Sequence, residues 1–216
     1  MIFLKSKHEI DLMRKAGEIV ATTHEKLKEI IQPGITTLEL DRIAEEHIRK
    51  HGAIPSFKGY KGFKGAIDYP ASICASINDE VVHGIPGLRE LKDGDIISID
   101  IGVYLNGYHG DAARTFAVGN ISKKARKLID VTEKSFYEGI KHAIIGNRIS
   151  DISSAVQKCV ESNGFSVVRD YVGHGIGKEM HEPPQVPNFK TRERGPRLEA
   201  GMTIAVEPMV NEKGYQ

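Results

Sequence analysis

An α+β fold, built twice over, is predicted by three observations. In each half of the 216 residues a pair of helical segments precedes a group of strand-like segments, and no Pro- or Ser-rich linker divides the halves. The third observation is an internal echo. Leu91-Lys92-Asp93-Gly94-Asp95-Ile96-Ile97-Ser98-Ile99-Asp100 is answered by Leu198-Glu199-Ala200-Gly201-Met202-Thr203-Ile204-Ala205-Val206-Glu207. Each has Leu, then Gly three residues on, then an alternating apolar run that ends on a carboxylate. A single echo at this distance points to two related halves of one domain, about 1–118 and 119–216, and not to a short-repeat solenoid. If a pseudo-twofold relates them, Asp100 and Glu207 approach one central site from opposite sides. Carboxylates that converge repel unless a cation or a shared proton holds them.

The elements follow in order. Ser6 and Glu9 have capping-box spacing, and Ile10, Met13, Val20, Leu27 and Ile31 keep a helical beat, so a helix is expected over about 7–31. Pro33-Gly34 stops it. Thr37 is expected to cap a second helix carrying Leu40, Ile43, Ala44 and Ile48, closed by Gly52. A Gly-rich loop from Phe57 to Gly65 leads to short strands. In the second half a helix is expected over about 122–143, broken by Gly146-Asn147. Ser150 or Asp151 is expected to cap the next helix, which ends at Gly164, and a strand should occupy about 165–172.

Composition excludes several classes. Forty per cent hydrophobic and 27% charged residues describe an ordinary globular chain, and a net charge of +1 argues against a polyanion-binding surface as its main purpose. There is no nucleic-acid motif. The N-terminus has no long apolar run of the secretory kind, and no stretch approaches the roughly 20 apolar residues of a membrane span. Cys74 and Cys159 are too few for a disulfide framework or a Cys-rich zinc site. The cytosol is the expected compartment.

Chemistry concentrates in a few places. Ile97, Ile99, Ile101 and Val103 alternate with Ser98, Asp100, Gly102 and Tyr104, which puts Asp100 on the face opposite the core. Asn106-Gly107 marks a two-residue hairpin, so 105 faces 108 and Gly102 faces Asp111. Asp111 then lies diagonally from Asp100 on one sheet face, about 7–8 Å away along the backbone, within reach of one metal or of two side by side. Two solvated aspartates are the competing reading, but Tyr108-His109-Gly110-Asp111 sets a poor strand former in mid-hairpin. Gly173-His174-Gly175-Ile176-Gly177 presents an imidazole among residues with almost no side chains. His181 follows seven residues later, and His83 sits in Val81-Val82-His83-Gly84-Ile85-Pro86. None of these has the HExxH spacing of a helical zinc protease, and the glycines lack nucleotide-loop spacing. Asp100, Asp111, His174 and Glu207 make an oxygen-rich set with one imidazole, suited to Mn, Fe, Co or Zn.

With these residues in hand, the chain resembles the bacterial type I methionine aminopeptidases, metallopeptidases of the pita-bread fold. The resemblance spans essentially the whole length. It is carried by Ser76-Ile77-Asn78-Asp79-Glu80-Val81-Val82-His83-Gly84-Ile85-Pro86, Ser98-Ile99-Asp100-Ile101-Gly102, His109-Gly110-Asp111, Tyr171-Val172-Gly173-His174-Gly175-Ile176-Gly177, His181-Glu182-Pro183-Pro184-Gln185-Val186 and Glu207-Pro208-Met209. It implies a curved antiparallel sheet covered by helices and two divalent metal ions held by Asp100, Asp111, His174 and Glu207. A metal-bound hydroxide would remove the initiator methionine ahead of a small second residue. His83 and His181 would contact substrate, His181 would support the developing oxyanion, and Glu207 would also pass a proton. Tyr60, Cys74 and Met180 would line the methionine pocket, with either Phe63 or Tyr69 as a second aromatic. Nascent polypeptide N-termini, at the ribosome, are the implied partners of a monomer.

Two departures stand out. The segment Ala66-Ile67-Asp68-Tyr69-Pro70-Ala71 is longer than in many relatives. Only nine residues follow Glu207, so the C-terminal strands of the family and their second, metal-bridging glutamate are expected to be missing. The alternatives are a proline-directed relative, a non-catalytic peptide-binding module, and an incomplete or impaired form of the enzyme.

Overall fold

The computed structural model describes residues 1–61 and 67–214. The chain divides into two compact units: His8–Ser122, and Met1–Lys7 together with Lys123–Gln216.

In the unit His8–Ser122, helix α1 (Lys7–Ile30) buries Ala16, Ile19, Val20, Thr23, His24 and Leu27. Their three- and four-residue spacing makes one continuous stripe. Pro33 follows the helix and Gly34 turns the chain at φ 95°. Helix α2 (Thr37–Lys50) is capped by Thr36, not by Thr37: the Thr36 side chain accepts from the Glu39 amide at 3.1 Å. Thr37 instead begins the helix and is buried, its hydroxyl within 3.1 Å of the Gly87 carbonyl. The short β1 (Ile54–Pro55) and β2 (Ile73–Ile77) share one edge of β3 (Ile96–Leu105), and β4 (Tyr108–Ala117) runs along the other. Alternation in β3 works as the sequence requires. Ile97, Ile99, Ile101 and Val103 are fully buried and join Leu27, Leu40 and Ile48 in the core, each contributing about 1.5–3 kcal/mol of apolar burial. Asn106 and Gly107 both take positive φ, 52° and 88°, and close the two-residue turn with Leu105 opposite Tyr108.

In the other unit, α3 (Lys123–Ile140) ends earlier than the predicted 143, because its last residues pass into hydrogen-bonded turns before Gly146. Helix α4 (Ile149–Ser162) has Arg148 at its N-cap position, two or three residues before the expected Ser150 or Asp151. Asp151 lies inside its first turn and reaches back to accept the Arg148 amide at 2.7 Å. The strand expected over 165–172 shrinks to β5 (Ser166–Val167). Val167 and Val168 are both buried, so the two-residue period fails there, and Arg169 and Asp170 are exposed. A β6 (Gly173–Gly175) pairs with β7 (Glu182–Val186), and β5 pairs with β8 (Val210–Asn211).

The sequence echo recurs as hydrogen bonds inside each unit. Gly34 N donates to Leu91 O at 2.8 Å and Leu91 N to Ile35 O at 2.9 Å. In the other unit Gly146 N donates to Leu198 O at 2.9 Å and Leu198 N to Asn147 O at 2.7 Å. Gly94 and Gly201, the shared glycines of the two runs, adopt φ 95° and 92°. That is a left-handed turn which a Cβ would oppose. The runs then differ. Residues 96–105 form a ten-residue strand, whereas 202–207 contain only an isolated bridge from Ile204 to Gly175.

Candidate metal and peptidase site

Unit His8–Ser122 brings two carboxylates to one sheet face. Asp100 pairs with Cys74 on one side and Ala113 on the other, and Asp111 stands opposite Gly102, as the hairpin register required. Facing residues of a ladder share a side of the sheet, so Cys74, Asp100 and Asp111 project together, away from the isoleucine core. Burial first, then the Asp100 carboxylate, push the Cys74 thiol up to about 12, so this cysteine stays a neutral thiol. Tyr69 lies beside it, with its hydroxyl 3.0 Å from both the Ile73 and the Gly84 carbonyl oxygens, and burial raises its phenol well above the ordinary range. Tyr60 is exposed and is tied to Tyr69 by the bond from Tyr69 N to Tyr60 O, 2.9 Å. Phe63, the other candidate for the aromatic position, lies outside the described residues.

His83 is exposed and holds a left-handed backbone, φ 61°. A non-glycine residue keeps that conformation only where its surroundings enforce it. Gly84 supplies the enforcement: its carbonyl accepts from Ala75 N at 2.8 Å, and its amide donates to Ser76 Oγ at 3.0 Å. A Cβ on Gly84 would fall 2.3 Å from Ala75 O, so only glycine lets this loop press against β2.

In the other unit, glycines frame His174 in the same way. Cβ atoms at Gly173 and Gly175 would meet Ala205 O and Pro183 O, each at 2.2 Å. Backbone bonds join His174 to the run that ends on Glu207: Ala205 N donates to His174 O at 2.7 Å. His174 Nδ1 donates to Gly175 O at 2.8 Å, a bond that fixes the orientation of the ring. Nε2 faces Glu207 Oε1 at 3.2 Å. Glu207 Oε1 is buried and receives no hydrogen bond among the described residues, so the contact is an ion-pair distance and not an aligned hydrogen bond. The His181 ring lies 4.3 Å from the His174 ring, and Met180 beside it is buried.

Two contributors carry no signal in the sequence that marks their role. Asn188 Nδ2 donates to the Glu207 carbonyl at 2.6 Å and fixes that run, yet no spacing singles it out. Glu182, which follows His181 in its motif, is buried against Lys5. Burial raises its carboxyl, but Lys5 and the Glu179 amide outweigh this and hold it below the ordinary range.

Comparison with known proteins places the chain in a family. Residues 11–216 match metallopeptidase family M24. The chain is 62% identical over 216 residues to a methionine aminopeptidase of Clostridium perfringens, covering 84% of it. It is 60% identical over 211 residues to methionine aminopeptidase 1 of Bacillus subtilis, covering 98% of this chain and 83% of that one. A crystal structure of methionine aminopeptidase from Thermotoga maritima superposes over the full chain and 85% of its own length, with TM-score 0.95 at 42% identity. A pita-bread fold, a match to the family over nearly every residue and high identity throughout lead to one conclusion: this chain belongs to metallopeptidase family M24, among the methionine aminopeptidases.

Proposed function

We propose that this chain is a metal-dependent aminopeptidase that removes N-terminal methionine when the next residue is small. One observation carries the chemistry. His174 Nε2 and Glu207 Oε1 stand 3.2 Å apart without an aligned hydrogen bond, and these are the atom types through which an imidazole and a carboxylate bind a divalent cation. Asp111, His174 and Glu207 each offer one ligand atom of the right kind, and Asp100 adds a further carboxylate on the face of Asp111. We assign all four to a two-ion centre, with Co, Mn, Fe or Zn as candidates, and take the two units to work as one peptidase domain. Retention of all four donors disfavours a non-catalytic binding module.

Ions of this class supply a Lewis acid and bring the pKa of water toward neutrality. The chain's own groups do the rest. His181 donates a hydrogen bond to the carbonyl oxygen as charge develops on it, and Glu207 would take a proton from the attacking water and pass it to the departing amine. His83, held in its strained turn, contacts the scissile amide. Cys74, Tyr60, Tyr69 and Met180 receive the methionine side chain, where a neutral thiol and thioether suit a thioether guest. The natural targets would be nascent polypeptide N-termini, met in the cytosol as they leave the ribosome, and the chain would act as a monomer. Among the described residues no helix is long and apolar enough to cross a membrane.

Hydrolysis of Met-Ala-Ser and Met-Leu-Ser tests the reading. Release of methionine from the first at least about tenfold faster is expected, because a pocket that excludes bulk discriminates by overlap. Equal rates would overturn the specificity, and no release from either would overturn the activity.

A further inference from the structure

We propose that Lys5 is a positioning residue for the reaction, acting through a buried clasp on the two segments that carry His181 and Glu207. The inference rests on the peptidase reading and adds a residue to it. Lys5 and Glu182 are 8% and 9% exposed, and the Lys5 ammonium pairs with Glu182 Oε2. The same ammonium donates to the Phe3 carbonyl at 3.2 Å, and Glu182 Oε1 accepts from Glu179 N at 3.2 Å. The Lys5 amide donates to Gly201 O at 2.7 Å.

Two glycines make room for this clasp. A Cβ on Gly177 would lie 2.4 Å from Lys5 Cε and 2.6 Å from Glu182 Oε1, and a Cβ on Gly201 would lie 2.7 Å from Lys5 O. Each contact leads to the site. Glu182 follows His181 directly and opens β7, which pairs with His174 through Gln185. Gly201 opens the run that bonds His174 O through Ala205 and ends on Glu207. One residue of the N-terminal segment therefore fixes both the turn bearing His181 and the approach to Glu207.

A buried ion pair is a poor device for stability alone, since well-packed apolar side chains of like volume serve as well or better. What it supplies is a fixed direction: the charge-assisted bond sets where the chain lies, and rates fall steeply when a reacting group is misplaced by even 1 Å or so. Lys5 touches neither substrate nor reacting atoms, so its effect should appear in kcat.

The test compares kcat and KM for Met-Ala-Ser in the metal-loaded protein, per folded molecule by circular dichroism, alongside melting temperatures. In Lys5→Met/Glu182→Met no charge is left unpaired. It should melt near the wild type while kcat falls about tenfold or more and KM stays within about twofold. Glu182→Gln leaves the Lys5 charge uncompensated and sets an amide NH2 against either Lys5 or Glu179 N, so it should melt below the double variant and also lose kcat. Wild-type kcat in the double variant would overturn the proposal. Should the double variant not fold, Lys5→Arg decides: it keeps the charge but displaces the donor, so lower kcat at constant KM supports the clasp and unchanged kcat overturns it. Failure of the wild type itself to cleave Met-Ala-Ser would sink the peptidase reading instead, a separate outcome.

Discussion

His174 Nε2 and Glu207 Oε1 stand 3.2 Å apart, the ring held by the Nδ1 bond to Gly175 O, the carboxylate oxygen buried with no hydrogen bond among the described residues. A divalent cation can bind both atoms at once. Added divalent metal should therefore raise the melting temperature of chelator-treated protein. At about 100 times the dissociation constant the gain is about 2.7 kcal/mol. His174→Ala and Glu207→Ala should each lose most of that shift. The same metal-induced shift in either variant would remove the pair from the metal site.

Asp111 sits in mid-strand opposite Gly102, on the face of Asp100. Asp111→Asn changes charge at nearly constant shape. A solvated strand aspartate would cost only about 0.5 kcal/mol on replacement and would spare activity. Peptidase activity should instead collapse by about a hundredfold or more while the circular dichroism spectrum stays native. Turnover close to wild type would return Asp111 to an ordinary surface role.

His24 contributes a pH dependence of known sign. It is fully buried on α1, with Nε2 2.8 Å from the Ala112 carbonyl, and burial lowers its pKa from 6.5 to about 4. The folded protein thus refuses a proton that the unfolded chain accepts. Its contribution is intact above about pH 6.5 and is lost as pH falls toward 4, a decline of roughly 3 kcal/mol. His24→Gln keeps a donor for Ala112 O and does not titrate there. Denaturant midpoints at about pH 7 and about pH 4.5 should differ more in the wild type than in the variant. Identical pH dependence would show that His24 is protonated freely in the folded state.

Gly84 allows the His83 loop to lie on β2, with a would-be Cβ 2.3 Å from Ala75 O. That neighbour is backbone and cannot swing away. Gly84→Ala should displace His83, lowering kcat/KM by about tenfold or more, with a stability loss of about 1–3 kcal/mol. A variant with native activity and melting temperature would mean that the loop has room to shift without consequence.

Legibility varies from element to element. The β3–β4 hairpin can be read to the residue, since alternation and Asn106-Gly107 are local signals and a two-residue turn leaves no freedom of register. Asp100 and Asp111 are therefore placed on one face by local pattern alone. The cap of α2 is displaced by one residue, because Thr36 and Thr37 are chemically alike and only packing selects which hydroxyl turns inward. The strand expected at 165–172 fails for the same kind of reason: valines at 167 and 168 are both buried, and local periodicity does not reveal a neighbour on each side.

By itself the sequence determined the α+β plan, the internal echo and the family, and it supplied the four residues proposed as metal donors. These are written in short-range patterns and in residue types whose chemistry has few substitutes. Only the tertiary structure decided that Lys5 and Glu182 meet, that Asn188 anchors the Glu207 carbonyl, and that Gly84 and Gly177 are required by close approach. Each depends on atoms brought together from far along the chain, Lys5 and Glu182 being 177 residues apart. No window of sequence contains that distance, because it is set by how buried surfaces pack and not by the preferences of the residues that meet.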